Sequence, residues 1–511
     1  MDRILWADDE IDLLKPHILF LKNKGYDVVT VSNGRDALDA LDNEKFSLIM
    51  LDENMPGLSG LETLERINHA HPDIPVIMIT KSEEENLMNQ AIGNKISDYL
   101  IKPVNPMQIL LSLKKNLHSG ELVAAQASTS YQQDFGKIAL QINQAASLTE
   151  WMDIYRQLVF WELKLADAES NLDEMLLMQK RDANAGFCKF VKRNYEEWVN
   201  AETRPLMSPD IFKHKLFPML DKGEKVFFIL IDNFRLDQWR VVQPLMAEMF
   251  DISEDLYTAI LPTSTQYARN SIFAGLMPAQ IASMYPQYWV EEDEDEGLNV
   301  HEGELVGTQL ARFRRKDKYS YTKLNDSVSC EKFLQRINDL KDNNLNVVVL
   351  NFIDMLSHAR TESKMIRELA NSDAAYRSLT ESWFRHSSAL DLFRRIASMG
   401  YKVVLTTDHG TIRVDKPIRV VGDKNTNTNL RYKVGKNLKY NAKQVYEMHE
   451  PKRFGLPSPN VSSEFIYALN EDFFSYPNNY NYYVQYYTGT FQHGGISMEE
   501  MLVPLVTMSP K

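Results

Sequence analysis

Five times along this chain a short apolar run leads into aspartate. ILWA precedes Asp8 and Asp9, SLIML precedes Asp52, and VFFILI precedes Asp232. NVVVLNF is followed closely by Asp354, and VVLTT by Asp408 and His409. Runs so short and so apolar read as strands buried on both faces, as parallel sheets require. Ligands of open α/β sheets bind outside the carboxyl ends of the strands. The acidic residues therefore fall where such a fold does its chemistry.

The first 120 residues alternate strands with helices. Ile4–Ala7, Val28–Val31, Ser47–Leu51, Val76–Thr80 and Tyr99–Ile101 read as strands. Leu13–Lys24, stopped by Gly25, and Met107–Leu117 read as amphipathic helices. That alternation predicts a doubly wound parallel sheet over 1–120. Residues 121–205 change character, with no proline before Pro205. Trp151, Ile154, Tyr155, Leu158 and Trp161, then Phe187, Phe190, Val191 and Trp198, recur at helical spacing. They predict a helical-bundle connector, with a relay or dimerisation element as the sharper alternative. From 206 to 511 the αβ pattern returns, with strands expected at Val226–Ile231, Asn346–Phe352 and Val403–Thr407. The expected fold class is thus a multidomain α/β chain.

Composition narrows the function. The net charge is −13, which argues against a reader of duplex DNA, since that needs a basic face. Two cysteines, Cys188 and Cys330, can form neither a disulfide framework nor a thiolate metal site, and they suit a reducing compartment. MDRILWADDE lacks the features of a signal peptide, and no apolar run reaches the ~20 residues that span a bilayer. A cytoplasmic protein without a membrane partner is expected. The run Glu291–Glu296 reads as a solvated loop. The tyrosine-rich tail Phe473–Tyr487 reads as packed aromatics, with base stacking as the alternative.

Asp8, Asp9 and Asp52 at strand ends would repel one another unless a hard cation joined them, and Mg²⁺ prefers such oxygen ligands. One carboxylate can then accept a phosphoryl group. ILWADDE, LDENMPGLSG, Thr80 and Lys102-Pro103 resemble a response-regulator receiver domain over 1–118. The resemblance implies Asp52 as phosphoacceptor. It implies Mg²⁺ held by Asp9, Asp52 and the Asn54 carbonyl, with Asp8 helping through water. Thr80 becomes the switch hydroxyl, Tyr99 the rotating aromatic and Lys102 the partner of the phosphoryl oxygens. Lys81 stands where a small residue is common, so access to the pocket is expected to differ.

In the last domain Asp232, Asp354, His358, Asp408, His409 and His493 form a set of hard and borderline ligands. Asp354 and His358 share one helical face if that segment is helical. Six such residues exceed one tetrahedral site and divide into two, suited to Zn²⁺. In LPTSTQYARN a hydroxyl at a helix N-terminus beside a metal can attack phosphorus; an isolated threonine there is otherwise an N-cap. The order Asp232, Thr265, Asp354 with His358, Asp408 with His409, and His493 resembles the alkaline-phosphatase superfamily, and within it the PglZ-type domain, over 206–511. That resemblance implies one metal on Asp354, His358 and His493, and another on Asp232, Thr265, Asp408 and His409. It implies Thr265 as nucleophile, with Thr263 as runner-up. Arg269, one turn beyond, can hold a phosphoryl oxygen or form a helix-surface ion pair.

Receiver, helical connector and PglZ-type domain in this order resemble the PorX-type response regulators tied to type IX secretion. This implies a sensor histidine kinase and regulation of secretion genes, with a sigma factor as a candidate partner. Homodimerisation on phosphorylation is expected separately, because receiver domains commonly dimerise through the face of the fourth and fifth strands, where Tyr99 lies. The expected activity is a receiver-controlled, two-zinc phosphodiesterase acting on nucleotides or oligonucleotides. The alternative is a non-catalytic signalling hub that recruits a partner through the PglZ-type domain.

Overall fold

The computed structural model describes residues 2–81, 89, 91–166, 172–290, 299–356, 368, 370–423, 426–458 and 462–511. His358 and the acidic run Glu291–Glu296 lie outside the described residues. The chain folds as two compact units, Met1–Ser130 and Tyr131–Lys511. No helix among the described residues is long and apolar enough to cross a membrane.

In the first unit β1 (Arg3–Ala7), β2 (Asp27–Val31), β3 (Leu48–Asp52), β4 (Val76–Thr80) and β5 (Asp98–Ile101) form one sheet. Its order is β2-β1-β3-β4-β5 and all its pairs are parallel. Residues 48–52 and 76–80 are buried throughout, which explains their unbroken apolarity. Alternate strand residues feed two cores. Ile4, Trp6, Leu48, Met50, Ile77 and Ile79 pack on one face; Leu5, Ala7, Ile49, Leu51, Val76 and Met78 pack on the other. A glycine is needed at Gly60, where a Cβ would stand 2.5 Å from the Asp52 carbonyl oxygen. The loop after β3 can therefore fold back tightly over the strand end.

Helices Ser119–Gln144, Leu148–Ala166 and Asp173–Asn200 follow. Trp151, Ile154, Tyr155, Leu158, Trp161, Phe187, Val191 and Trp198 are buried, and Phe190 is half-buried against Trp151. Fully burying a large apolar side chain contributes ~1.5–3 kcal/mol, so this stripe is ample reason for the helices to pack. Residues 131–200 belong to the same unit as the last domain. They are joined to it by a buried charge network. Glu162 takes Lys180 at 2.7 Å and Arg377 at 2.5 Å; Arg377 also reaches Asp237 at 3.1 Å, and Arg235 reaches Asp373 at 2.7 Å. Glu162, Asp237 and Asp373 lie close enough to hold a metal, but the cations interleaved among them already compensate their charge.

The last domain contains β6 (Val226–Ile231), β7 (Phe250–Thr258), β8 (Tyr319–Leu324), β9 (Leu345–Leu350) and β10 (Lys402–Thr406). Small strands follow: β11 (Ile412–Arg413), β12 (Lys416–Arg419), β13 (Tyr432–Gly435), β14 (Val445–Met448), β15 (Glu464–Ala468), β16 (Asp472–Ser475) and β17 (Phe491–Gln492). β18 (Leu502–Pro510) comes last. The main sheet runs β7-β18-β10-β6-β9-β8, with β18 antiparallel to both its neighbours. The strand expected at Asn346–Phe352 stops earlier, at Leu350. Its partners β6 and β8 end opposite Leu350, at Ile231 and Leu324. Asn351 and Phe352 find no ladder to continue, and 352–356 turns helical, carrying Asp354. The tyrosine-rich tail divides: Phe473 and Phe474 are buried, whereas the helix Tyr480–Tyr487 buries none of its residues.

Candidate functional site

Two clusters gather at strand ends, one in each unit. In the first, one ligand atom from each of Asp8, Asp9 and Asp52 lies within 4.8 Å of the others. Asp8 and Asp52 are buried and Asp9 is exposed. Lys102 Nζ sits 2.7 Å from Asp8 and 2.9 Å from Asp52. Asp52 Oδ1 is buried without a hydrogen-bond partner. An orphaned oxygen beside two more carboxylates is what a hard cation or a phosphoryl group would satisfy. Burial pushes the Asp52 carboxyl up, Lys102 opposes this, and Asp8 and Asp9 add to the rise. Burial also works against the Lys102 charge, but its bonds to Asp8 and Asp52 outweigh that and hold its pKa above the ordinary value.

Thr80 is buried at the end of β4, and Tyr99 is half-buried in β5. Asn54 is exposed on the loop after β3. The Lys102–Pro103 peptide bond is cis. Lys81, the residue expected to alter access, is tied at 2.6 Å to Glu10, next to the acidic pair.

The second cluster is built on the carboxyl ends of β6, β9 and β10. Asp232 and Asp408 are buried, as is His409, and a ligand atom from each lies within 4.8 Å of the others. A close approach fixes the turn after β10. A Cβ on Gly410 would fall 2.0 Å from the Glu499 carbonyl oxygen, and the Gly410 amide donates to the Glu500 carbonyl.

Both described imidazoles are anchored the same way. His409 Nδ1 lies 3.1 Å from the Gly410 carbonyl, and His493 Nδ1 lies 3.1 Å from that of Thr263. A proton on each Nδ1 leaves Nε2 as the acceptor, which is how proteins present histidine to a metal. His409 Nε2 is 3.2 Å from Thr265 Oγ1 and 4.0 Å from Asp232; His493 Nε2 is 3.9 Å from Asp354. The two rings stack, with centroids 4.2 Å apart. The structure thus gathers Asp232, Asp408 and His409 within reach of one another and brings His493 toward Asp354 beside them.

Thr265 opens the helix Thr265–Ala274, and its half-buried hydroxyl faces Asp232 Oδ1 at 3.5 Å. The N-cap is Ser264 instead, so capping does not explain Thr265. The Thr263 hydroxyl is fully buried. It donates to the Gly495 carbonyl at 2.8 Å and accepts from the Gly494 amide at 3.1 Å. It clasps the His493 loop to the Thr265 loop.

Arg269 is no helix-surface residue. Its side chain is 1 % exposed and its guanidinium meets Asp232, Asp408 at 2.9 Å and Glu302 at 3.3 Å. Burial drives the Asp232 carboxyl well above the usual range; Arg269 opposes this, and the negative charges of Asp408 and Asp354 add to the rise. Burial also penalises Asp408, but Arg269, His409 and the Asn233 amide hold it below its usual value. The two neighbours therefore differ: Asp408 keeps its charge and Asp232 resists carrying one. A donor set of buried carboxylates and Nε2 atoms, over-supplied with negative charge, fits divalent cations.

Two participants went unseen in the sequence. Asn233, at φ 59°, donates its backbone amide to Asp408 and its side-chain amide to Asp354, each at 3.3 Å, so it bridges the two groups. Left-handed backbone is uncommon outside glycine, and asparagine tolerates it best. Glu302, 1 % exposed, holds Arg269 from behind and takes Lys323 at 3.2 Å and the Tyr321 hydroxyl.

Comparison with known proteins follows the same division. Residues 4–114 match the response regulator receiver domain, 121–199 the PorX response regulator linker domain, and 211–508 the BREX system PglZ alkaline phosphatase-like domain. Among curated proteins, the alkaline phosphatase synthesis transcriptional regulatory protein PhoP of Bacillus subtilis is 30 % identical over 140 residues, 27 % of this chain and 58 % of its own length. A CpxR homolog of Haemophilus influenzae is 35 % identical over 116 residues, 22 % of this chain and 49 % of its own. The chain spans about half the length of these relatives. Solved structures include a CheY-like receiver domain from Methanospirillum hungatei, 28 % identical over 23 % of this chain and 95 % of that one, at TM-score 0.23.

Proposed function

The chain belongs to the PglZ alkaline phosphatase-like family, here preceded by a receiver and a PorX-type linker, and on that premise we propose that it is a receiver-controlled phosphodiesterase acting on nucleotides or oligonucleotides. One observation carries the chemical part. Two imidazoles, each pinned through Nδ1, turn Nε2 toward carboxylates, the buried Asp232 and the half-buried Asp354, beside a threonine hydroxyl that caps nothing. A structural role explains neither the pinning nor the threonine.

Asp232, Thr265, Asp408 and His409 would hold one zinc ion, and Asp354, His358 and His493 the other. When bound, such a pair supplies Lewis-acid stabilisation of the attacking and leaving oxygens. The residues supply the rest. Thr265 Oγ1 can pass its proton to Asp232 Oδ1 at 3.5 Å, while His409 Nε2, 3.2 Å from the same hydroxyl, would be kept for the metal. The Thr265 oxygen bonds to phosphorus as the ester oxygen leaves, giving a phosphothreonine that water then hydrolyses to restore the hydroxyl. Asn233 keeps Asp354 and Asp408 in mutual register. Arg269 holds Asp232 and Asp408 in place, and its expected contact with a phosphoryl oxygen is part of this proposal.

In this reading control lies at Asp52, phosphorylated by a sensor histidine kinase, with Mg²⁺ on Asp8, Asp9, Asp52 and the Asn54 carbonyl and with Thr80, Tyr99 and Lys102 following the new charge. Homodimerisation on phosphorylation, a cytoplasmic setting and regulation of type IX secretion, through a sigma factor or another partner, complete the reading. The deciding experiment is metal analysis of purified protein alongside turnover of bis-(p-nitrophenyl) phosphate and p-nitrophenyl phosphate. About two zinc ions per chain and faster diester cleavage are expected. Metal-free protein, or metal-loaded protein that cleaves neither substrate, would leave the non-catalytic hub.

A further inference from the structure

The helix Tyr480–Tyr487, YNYYVQYY, packs Tyr487 against Ile412, Val414 and Phe473, but packing does not account for the exposed Tyr482 and Tyr483. Five of its eight residues are tyrosine, and none of the eight is buried. Tyr482 is 63 % exposed and Tyr483 39 %. The rings are ordered among themselves. Tyr482 lies parallel to Tyr486 at 6.1 Å and 16°, and Tyr483 to Tyr487 at 6.2 Å and 13°. Two parallel pairs at i, i+4 spacing make a ridge of aromatic faces on the outside of the domain.

The surroundings set the charge. Segment 476–490 has no charged residue, in a chain of net charge −13. Three exposed cations lie on the neighbouring strands: Arg413 on β11, and Lys416 and Arg419 on β12. Arg419 lies over the Tyr480 ring at 4.8 Å, and Arg413 donates to the Gly489 carbonyl at 3.3 Å. Asp415 stands between Arg413 and Lys416, and Asp472 lies opposite Lys416; Arg181 reaches Glu471 at 2.8 Å and Asp415 at 3.7 Å, so Arg413 and Arg419 are the cations left to a ligand.

The ridge is also tied to the candidate active site. β11 pairs with β17, with Ile412 opposite Gln492 and Arg413 opposite Phe491. The ladder continues toward the helix through Val414–Thr490 and Gly489–Val414 hydrogen bonds. At its other end it runs directly into His409 and His493. Phe491, buried and stacked on Tyr376 at 4.5 Å, fixes it. Five residues lie between Tyr487 and His493, so the six steps, at ~3.3–3.6 Å each, span at most about 22 Å.

We propose that this helix is a stacking platform for the bases of a single-stranded oligonucleotide, with Arg413 and Arg419 following its phosphates. Exposed aromatic faces bind any base, and neighbouring cations track the backbone. The proposal deepens the phosphodiesterase reading and rests on it for the fate of the strand, but not for its binding.

The test is binding to the full-length protein in EDTA, read by fluorescence anisotropy with labelled hexadeoxyadenylate and with an abasic hexamer of equal charge. Tyr482→Ala/Tyr483→Ala should bind the adenylate at least about 30-fold more weakly, the smallest loss expected for two stacked bases. Tyr482→Phe/Tyr483→Phe should bind within about twofold of wild type, since the ring faces remain. The abasic strand should bind weakly to all three. Equal binding of adenylate by wild type and the alanine variant overturns the platform, as does equal binding of the adenylate and abasic strands. Wild-type turnover of bis-(p-nitrophenyl) phosphate, measured separately with metal, tells the two readings apart. A diesterase whose alanine variant keeps full adenylate affinity loses only the platform. A protein without turnover that shows the ring-dependent affinity loses only the catalytic reading.

Discussion

Replacing Arg269 by methionine tests how the candidate metal centre tolerates its own charge. The guanidinium is 1 % exposed and lies among Asp232, Asp408 and Glu302, themselves no more than 5 % exposed at the side chain. Methionine fills much of the space and removes the only charge that Arg269 contributes. Breaking a buried pair by deleting one partner costs about 3–5 kcal/mol, because the remaining charge is left buried. The unit Tyr131–Lys511 has roughly 380 residues, so its unfolding entropy is about 0.8 kcal/mol per degree and the metal-free Tm should fall by about 5 °C. Divalent metal restores positive charge to the same carboxylates. By linkage, a ligand that relieves the variant more than wild type must also bind the variant more tightly. The assay is differential scanning fluorimetry with EDTA and with a Zn²⁺ series, paired with calorimetric titration of Zn²⁺. A large Tm deficit in EDTA that shrinks with metal is the expected pattern. A metal-free Tm within about 1 °C of wild type, or a deficit equal with and without metal, would refute the idea that Arg269 is the counter-cation of this site.

Thr265→Ala should abolish diester turnover while metal content by mass spectrometry stays at wild type; full activity would make a metal-bound hydroxide the nucleophile. Thr263→Ala should instead cost about 1–3 kcal/mol in denaturant unfolding, since the Gly494 amide and Gly495 carbonyl lose a buried partner; no stability change would remove the clasp. Asp354→Ala/His358→Ala should retain about half the metal, and full content in that variant would sink the two-group assignment. Asp472, raised to about 6 mainly by burial, binds its proton more tightly folded than unfolded, so stability should fall as pH rises from about 4 to 6. Asp472→Asn should flatten that slope and melt higher than wild type at pH 7, and an unchanged slope would reject the assignment. Beryllofluoride with Mg²⁺ should raise the sedimentation coefficient of wild type but not of Asp52→Ala, and an unchanged wild-type mass over a wide concentration range would exclude dimerisation as the switch.

Much of the site was legible because strand ends are legible. An apolar run followed by aspartate fixes both the strand and the place of its carboxylate, and this held for Asp8, Asp52, Asp232 and Asp408. Asp354 was less plain, since nothing in NVVVLNF says that β6 and β8 stop opposite Leu350. Asn233 and Glu302 were invisible for another reason. Their work depends on a left-handed backbone and on a guanidinium approaching from the helix Thr265–Ala274, and neither residue type is rare enough to signal it. The anchors of His409 and His493 are backbone carbonyls, which carry no sequence signature at all. The connector looked like a separate module because its helical period differs from its neighbours'. Its packing partners, Asp237, Asp373, Arg377 and Glu499, are scattered over more than 260 residues.

The position of β18 has a consequence for how the domain is made. This strand lies between β7 and β10, and its own lead-in supplies the Glu500 carbonyl that receives Gly410 next to His409. A ribosome adding about 5–20 residues per second needs on the order of 5–20 s to travel from β10 to the end of β18. Throughout that interval the edges of β7 and β10 that face each other across the gap have no strand between them. The loop after β10 that carries Asp408 and His409 likewise lacks its brace. The cluster of Asp232, Asp408 and His409 thus cannot be completed piecemeal during synthesis. A nascent chain halted before residue 502 should be held by chaperones and be cut readily by protease, however complete its first sheet.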